Sequence, residues 1–255
     1  MLDQAIILSL IQALTEFLPV SSSGHLLLAE KIFDFSKFNL TFDVLVHLAS
    51  CMALIIVFSK NWVAIFKQAK TNFSSSLLFK ICIALIPAVV LGLILEKTKP
   101  FFWRSAYLVV FNLIFFGLIL FWADFKKGKN RIKKLTLKNA FLIGLGQALA
   151  LMPGVSRSGI TISLALFLGL SRRESAKFSF LLATPAILGA SLLELPKISY
   201  SEINLLPAYI LGFITSFIFS YLVISWFLKY LKEGRLWPFV VWRVIIALGV
   251  LSILI

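Results

Sequence analysis

The sequence predicts an all-α integral membrane protein built as an inverted repeat, with one re-entrant helical hairpin and three transmembrane helices in each half. Hydrophobic residues make up 60% of the 255 positions and charged residues only 14%, which excludes an ordinary soluble domain. Six apolar segments have about the 20 residues that a spanning helix needs. Two further apolar stretches carry related polar motifs that interrupt them. These three observations together define the predicted fold class.

The six predicted spans follow one another along the chain and carry few charges. By residue number they are 40–58, 77–95, 105–123, 178–194, 205–228 and 237–255.

The other two apolar stretches are broken near their middles and leave halves too short to cross a membrane. The first covers 4–33 with its break at 19–24, and the second covers 139–170 with its break at 153–159. Halves of this length predict re-entrant hairpins. Non-helical backbone at membrane depth is tolerated only where protein buries it or where it lines a watery cavity, so both breaks are expected to belong to a site.

The two hairpin sequences are related by a shift of 135 residues. The shift places Gln12 on Gln147, Ser21 on Ser156, Ser23 on Ser158 and Gly24 on Gly159. Each half then has one hairpin and an odd number of spans, so the second half is expected to be inverted relative to the first. The predicted organisation is a single membrane domain with a first repeat at 1–123, a basic cytoplasmic linker at 124–138 and a second repeat at 139–255.

Loop charge predicts the orientation of the chain. The loops on the N-terminal side carry six Lys and Arg residues, whereas the opposite loops carry 17. The positive-inside rule places the second side in the cytoplasm, so both termini and the mouth of the first hairpin are expected to face outward. These loops account for the net charge of +14, and the sequence has no nucleic-acid motif, so no nucleic-acid partner is expected.

Arg157 brings a permanent charge to the second break. A guanidinium presents a planar fork suited to phosphate oxygens, and the helix N-terminus that follows it favours an anion. Nearby residues add hydroxyl donors and a close backbone approach: Ser156, Ser158, Thr161 and Gly159. This pattern predicts an anionic substrate that bears phosphate. The simpler alternative is an ion pair between Arg157 and Glu16 that joins the hairpins.

Gln12 and Glu16 are four residues apart and therefore share one face of the first helix. A carboxylate and an amide oxygen suit a hard divalent cation such as Mg²⁺, with Ca²⁺ as the alternative. The sequence therefore predicts a metal site at Gln12 and Glu16. A role for Glu16 as general base is a competing use that is compatible with the first.

Three serines lie at the first break and a histidine lies just beyond it: Ser21, Ser22, Ser23 and His25. A serine needs a neighbouring base to become a nucleophile, and either Glu16 or His25 would serve. His25 could instead be the nucleophile or protonate the leaving group. Each serine could also simply cap the helix that follows. The combination of Ser, Glu, His and Arg favours catalysis, and Ser21 and Ser23 are predicted to bind the substrate.

Three more polar groups lie within the predicted spans. Asp43 and His47, spaced i, i+4, form either a mutually neutralising pair or a unit in which Asp43 orients a metal or a catalytic group. Arg243 in the last span is expected to extend to the membrane interface or to pair with a carboxylate.

The two motifs resemble those of the bacterial undecaprenyl-diphosphate phosphatase family of the bacitracin-resistance type. Its first signature is present as Gln12 and Glu16 followed by Phe-Leu-Pro-Val-Ser-Ser at 17–22, and its second, Pro-Gly-x-Ser-Arg-Ser-Gly, at 153–159. The resemblance covers essentially the whole chain. It implies metal-dependent hydrolysis of undecaprenyl diphosphate to undecaprenyl phosphate and inorganic phosphate. That reaction recycles the lipid carrier for peptidoglycan synthesis and confers bacitracin resistance.

The resemblance also implies roles for individual residues. Those that match the family's catalytic core are Glu16, Ser22, His25 and Arg157, with Ser22 at the position of the proposed nucleophile, and those that match its phosphate-contacting hydroxyls are Ser156 and Thr161. Two positions depart from the family pattern. Gln12 stands where many members have Glu, and Asp43 stands where Glu is common.

The resemblance implies a location in the bacterial cytoplasmic (inner) membrane, with a site that opens to the outer face, in agreement with the orientation from charge. The expected partners are an isoprenoid diphosphate lipid and the surrounding membrane lipids; a homo-oligomer is left open. The alternative function is a polyprenyl-phosphate flippase or secondary transporter, because transporters also use inverted repeats and broken helices. Glu16 and His25 favour the enzyme, since a carrier needs no nucleophile and base.

Overall fold

The computed structural model of the chain describes residues 2–33, 40–98, 105–126, 128–194 and 205–254, and these residues are mainly helical. Its α-helices are α1 Leu2–Phe17, α2 Ser22–Phe33, α3 Leu40–Val57, α4 Ser59–Thr71, α5 Leu77–Thr98, α6 Ala106–Asp124, α7 Leu137–Leu149, α8 Arg157–Phe167, α9 Arg172–Glu194, α10 Leu206–Tyr230 and α11 Trp237–Leu254. A 3-10 turn covers Ile132–Lys134. The described ranges contain no sheet strand, only an isolated bridge between Asn130 and Leu170, which confirms the all-α class.

Six of these helices are long and apolar enough to cross a membrane, which confirms the six predicted spans. They are α3, α5, α6, α9, α10 and α11. The clearest difference is α9, which begins at residue 172 rather than 178. Ser171 explains the early start, because its hydroxyl accepts from the Glu174 N–H and its carbonyl accepts from the Ser175 N–H. A polar first turn therefore precedes the apolar run by which the span was predicted.

The two broken stretches form the predicted pairs of short helices. α1 and α2 flank the first break, and α7 and α8 flank the second. Ser21 and Ser156, related by the 135-residue shift, are the two non-glycine residues with positive φ in the described chain, at 73° and 71°. Each directly precedes a helix N-terminus. The inverted orientation of the second half stays a prediction.

The segment between the first two spans differs from the expected loop. It contains α4, an amphipathic helix whose one buried residue is Ile65 and whose lysines are exposed. A short helix of this kind, basic on one face and apolar on the other, is suited to the membrane interface.

The predicted linker at 124–138 packs against the second half of the chain. Asn130 exchanges main-chain hydrogen bonds with Gly169 and Ser171.

Each hairpin packs its first helix against a span from the other half of the chain. α1 lies along α10, and α7 lies along α5, while α6 and α11 pack against each other. Gly144 permits the α5–α7 contact, because a Cβ there would be 2.2 Å from the Ala84 carbonyl oxygen. This interlocking brings the two breaks together inside the helical bundle.

Five of the loop cations that were counted for the predicted orientation lie outside the described residues: Lys37, Lys99, Arg104, Lys127 and Lys197.

Candidate active site

The two breaks meet through an ion pair between Glu16 and Arg157. Glu16 is in the last turn of α1, and Arg157 is the first residue of α8. Nη2 of Arg157 donates to Oε1 of Glu16 at 2.6 Å, and the two side chains are only 17% and 10% exposed. A charge-assisted contact between two largely buried groups holds both in a single geometry. The ion pair that the sequence offered as the simpler alternative therefore forms and joins the two hairpins. It does not exclude a further role for either residue.

The second terminal nitrogen of Arg157 has no such partner. Nη1 is buried and makes no hydrogen bond to any described residue. Buried polar groups are nearly always paired, and an orphaned donor on a charged group requires an explanation. A ligand oxygen would supply the missing acceptor, and a phosphate suits a guanidinium best.

The other carboxylate oxygen of Glu16 accepts hydrogen bonds from residues of the first hairpin. Oε2 accepts from the hydroxyl of Ser22 at 3.1 Å and from Nε2 of Gln12 at 2.8 Å. Ser22 is the first residue of α2, so the break folds its hydroxyl back onto the end of α1. This geometry pairs a hydroxyl with a carboxylate base. Of the two bases considered for Ser22, the structure places Glu16 against its hydroxyl.

Two further hydrogen bonds join the hairpins. The hydroxyl of Ser158 donates to the Leu18 carbonyl at 2.9 Å, and the N–H of Gly154 donates to the Ser23 hydroxyl at 3.0 Å. Ser21 and Ser23 share a hydroxyl contact of 3.1 Å. These predicted substrate-binding serines thus lie at the junction, where they link one break to the other.

The remaining residues of the second motif organise the start of α8. Ser156 caps the helix, since its hydroxyl accepts from the Gly159 N–H at 3.2 Å. The hydroxyl of Thr161 donates to the Arg157 carbonyl and contacts the Ser179 hydroxyl, each at 2.7 Å. Gly159 is packed closely, because a Cβ would be 3.2 Å from Nη1 of Arg243. The phosphate-contacting roles predicted for Ser156 and Thr161 stay predictions.

His25 is held at both ring nitrogens. Nδ1 contacts the Ser21 carbonyl at 2.8 Å, and Nε2 accepts from the indole N–H of Trp242 at 2.7 Å. Trp242 was missed by the sequence reasoning. An aromatic residue in an apolar span carries no local signal that it will meet a histidine more than 200 residues away.

His47 joins the site from α3. Its Nε2 accepts from the amide of Gln12 at 2.9 Å and lies 3.8 Å from Glu16 Oε2. Its Nδ1 contacts the main-chain carbonyl of Asp43 at 2.7 Å rather than the carboxylate. A helical carbonyl four residues back lies within reach of the ring, so this hydrogen bond forms with the backbone. Whether the Asp43 and His47 side chains neutralise each other or Asp43 orients a catalytic group stays a prediction. The proposed metal role of Asp43 stays a prediction.

Arg243 neither reaches the interface nor pairs with a carboxylate within the described chain, so both expectations for it were wrong. It is completely buried and donates five hydrogen bonds to main-chain carbonyls, those of Asn112, Leu113, Gly154 and Val155. α6 supplies two of these carbonyls and the second break supplies the others. A main-chain carbonyl has two lone pairs, so the carbonyls of α6 and of the second break provide enough acceptors to satisfy a guanidinium without a counter-ion.

Gln12 and Glu16 fit a cation that takes few ligands from the protein. Oε1 of Gln12 is buried and has no hydrogen-bond partner among the described residues, while its Nε2 is occupied by Glu16 and His47. In the described ranges, no cluster of three or more His, Cys, Asp and Glu side chains could hold an ion on its own. This donor set suits Mg²⁺, which keeps several waters and is commonly bound by one or two carboxylates together with substrate phosphates.

Comparison with known proteins adds an independent finding. A family model described as bacitracin resistance protein BacA matches residues 5–249. The undecaprenyl-diphosphatase of Elusimicrobium minutum is 44% identical over 253 residues, which cover 98% of this chain and 96% of the relative. The undecaprenyl-diphosphatases of Pelotomaculum thermopropionicum and Chromohalobacter salexigens are each 38% identical, with 96% of this chain covered and 93% and 96% of the respective relatives.

Proposed function

Because the chain belongs to the bacitracin resistance protein BacA family, we propose that it is an undecaprenyl-diphosphate phosphatase that releases undecaprenyl phosphate and inorganic phosphate. The reaction returns the lipid carrier to peptidoglycan synthesis and confers resistance to bacitracin. The chain is a multi-pass membrane protein, which suits a substrate whose isoprenoid tail stays in the lipid.

The observation that carries this function is the orphaned Nη1 of Arg157. It is a buried cationic donor without an acceptor, on a residue whose other nitrogen is fixed by Glu16. The helix N-terminus of α8 adds favourable potential for negative charge at the same point. The terminal phosphate of the diphosphate binds there, beside the Ser22 hydroxyl.

Ser22 is the nucleophile in this mechanism and Glu16 is the base. The hydroxyl already donates to Oε2 of Glu16 at 3.1 Å, so the proton passes to the carboxylate as Oγ attacks the terminal phosphorus. The bond from that phosphorus to the bridging oxygen breaks, and undecaprenyl phosphate leaves with the bonding electrons. Water then attacks the phosphoserine, and inorganic phosphate is released. Arg157 stabilises the charge on the transferring group in both steps.

The divalent cation belongs to the proposal as well. Glu16 and the free amide oxygen of Gln12 would hold it. When bound, such an ion neutralises charge on the diphosphate oxygens. Mg²⁺ fits this pair better than Ca²⁺, because Mg²⁺ keeps several waters and needs few protein ligands, whereas Ca²⁺ takes about six to eight oxygen ligands.

The site opens to the outer face of the cytoplasmic membrane, and both termini lie outside. The excess of cations in the opposite loops supports this orientation. The transporter alternative is not favoured. A carrier would require charge complementarity from Arg157, but it would have no use for a serine hydroxyl hydrogen-bonded to a carboxylate.

The test measures phosphate release from undecaprenyl diphosphate and from a C15 isoprenoid diphosphate by the purified protein in detergent. Wild type is compared with Arg157→Ala and with Arg173→Ala, which removes an exposed arginine away from the two breaks. We expect release with Mg²⁺, loss of release with EDTA, and loss in Arg157→Ala but not in Arg173→Ala. Well-folded wild type that releases no phosphate with any divalent ion would overturn the proposal in favour of transport.

A further inference from the structure

We propose that Trp242 is a positioning residue, which acts through His25 on the turn that presents Ser22 to Glu16. The inference rests on the phosphatase function proposed above. Each link between α11 and the end of α1 is either a hydrogen bond or a pair of adjacent residues.

The first link fixes the protonation of the His25 ring. The indole N–H of Trp242 donates to Nε2 at 2.7 Å, and the rings stack with centroids 6.2 Å apart at 20°. An indole N–H can only donate, so Nε2 must hold a lone pair and the ring is neutral. The proton is therefore on Nδ1, which donates to the Ser21 carbonyl at 2.8 Å. Both nitrogens are occupied, and neither is available to attack phosphorus or to accept the proton of Ser22.

The second link is the strained backbone of Ser21. Its φ of 73° lies in a region that residues other than glycine seldom adopt. Such a conformation persists only where the surrounding structure holds it, and it is found most often at functional sites. The hydrogen bond from His25 holds the carbonyl of this residue. Ser22 follows directly, and its hydroxyl reaches Glu16 from there. A turn that relaxed to negative φ would carry that hydroxyl away from its base.

The third link is the anchoring of α11 itself. Arg243, the residue after Trp242, is fully buried and bound to carbonyls of α6 and of the second break. Successive side chains on a helix point about 100° apart, so one face of α11 meets the first hairpin while the next meets the second. Arg243 therefore fixes the rotation of α11, and this rotation aims the Trp242 N–H at His25.

A purely structural role would have different consequences. Trp242 is 47% exposed and lies outside the buried core, and loss of its N–H alone removes one hydrogen bond. The positioning role therefore predicts an effect on turnover out of proportion to any effect on stability.

The kinetic test compares Trp242→Phe, which keeps an aromatic ring without the donor, with Trp242→Tyr, which restores a donor. For Trp242→Phe we expect kcat to fall about 10- to 100-fold, the range that follows from a misplaced reacting group, with KM within about twofold of wild type because Arg157 still binds the diphosphate. Trp242→Tyr should recover most of kcat. Trp122→Phe, on an exposed part of α6, is the matched control and should leave kcat unchanged.

A double-mutant cycle identifies the route of the effect. If Trp242 acts through His25, Trp242→Phe should cause no further loss when it is added to His25→Ala. Additive losses in kcat would overturn the inference, as would a Trp242→Phe variant with the turnover of wild type.

A spectroscopic measurement tests the arrangement without turnover, so that it stands apart from the proposed function. The chain has only two histidines, and ¹⁵N-histidine labelling in detergent gives two ring spectra, assigned with His25→Gln. We expect His25 as the Nδ1–H tautomer, with an Nε2 resonance that shifts in Trp242→Phe and not in Trp122→Phe. A His25 that is protonated on Nε2, or unaffected by Trp242→Phe, would overturn the inference even if the protein proves to be a phosphatase.

Discussion

Glu16 is contacted by side chains from several elements of the fold. Gln12 contacts it from its own helix, Ser22 from α2 and Arg157 from α8. An ionisable group inside a membrane is costly, and a carboxylate there persists where partners offset its charge and occupy its lone pairs. Both oxygens of Glu16 are occupied in this way. The proposed reaction uses this arrangement, in which one carboxylate contacts both a guanidinium that would bind an anion and a hydroxyl that would attack it.

Replacement of Ser22 tests the covalent route. Ser22→Ala removes the hydroxyl that faces Glu16, so we expect kcat to fall by about three orders of magnitude or more, as when a nucleophile is lost elsewhere. KM should change little, because Arg157 is untouched. Phosphate release measures both constants, and mass spectrometry of acid-quenched wild type should detect phosphoserine. Ser252→Ala, at an exposed position near the end of α11, is the control. Turnover at the wild-type rate in Ser22→Ala would exclude serine as the nucleophile.

Gln12 tests the metal site in two directions. Gln12→Glu replaces the unpartnered amide oxygen by a carboxylate, a better ligand for a hard cation, so the Mg²⁺ concentration for half-maximal activity should fall. Gln12→Ala removes the ligand, and the required concentration should rise. The measurement is a Mg²⁺ titration of phosphate release at saturating substrate. Identical titration curves for all three proteins would show that position 12 takes no part in binding the ion.

At the scale of elements, close packing of helices determines where each break lies. α7 approaches α5 so closely at Gly144 that the Ala84 carbonyl occupies the space of a side chain. Small residues allow helices to approach in this way, and in lipid such packing supplies much of the association energy. The position of α7 sets the start of the second break, so this contact also affects Arg157.

Gly144→Ala should therefore destabilise the protein. A methyl group 2.2 Å from a main-chain oxygen forces the helices apart, and overpacking of this kind costs about 1–3 kcal/mol. We expect a lower midpoint of thermal unfolding in detergent, followed by intrinsic fluorescence. Gly189→Ala is the matched control, since a Cβ at Gly189 has nothing within 4 Å, and it should unfold at the wild-type midpoint or slightly above. Equal midpoints for Gly144→Ala and wild type would contradict the packing argument.

At the scale of the molecule, basic residues from separate parts of the chain gather on one face. A cleft of about 490 Å³ is lined by cations that come from the linker, the start of α9 and the turn after α10: Lys126, Lys129, Arg131, Arg172, Arg173 and Lys232. Loops that carry so many cations are retained in the cytoplasm. This face is therefore the cytoplasmic one in the orientation that we propose.

Labelling of single cysteines tests the orientation. In a background with Cys51→Ser and Cys82→Ser, a membrane-impermeant maleimide should modify Lys129→Cys only in inside-out vesicles. It should modify Leu2→Cys only in right-side-out vesicles, because the N-terminus is expected on the opposite face. Both positions are exposed, so access depends on the side of the membrane rather than on burial. The reverse pattern would invert the topology, and labelling of both positions from one side would contradict it.

The sequence by itself determined the helical elements, their membrane class and the chemistry of the two breaks. Apolar runs of spanning length form helices in lipid because every backbone group must be paired within the segment, and this constraint is local. The residue types at the breaks were likewise readable, so Glu16, Arg157 and a run of three serines could be named in advance, and the resemblance to the family singled out Ser22 among the serines. The amphipathic helix α4 was missed, because its apolar face is too narrow to appear as a span.

Only the tertiary structure decided which of these groups meet. Ser22 contacts Glu16 rather than His25, His25 is held by Trp242, and Arg243 binds backbone carbonyls in place of a carboxylate. The last two sets of contacts join residues at least 88 positions apart, and they depend on how α11 packs against α6 and both hairpins. Hydrophobic periodicity shows that a helix is buried, but it cannot show which polar group the helix will face, because the partner is set by the packing of the whole bundle.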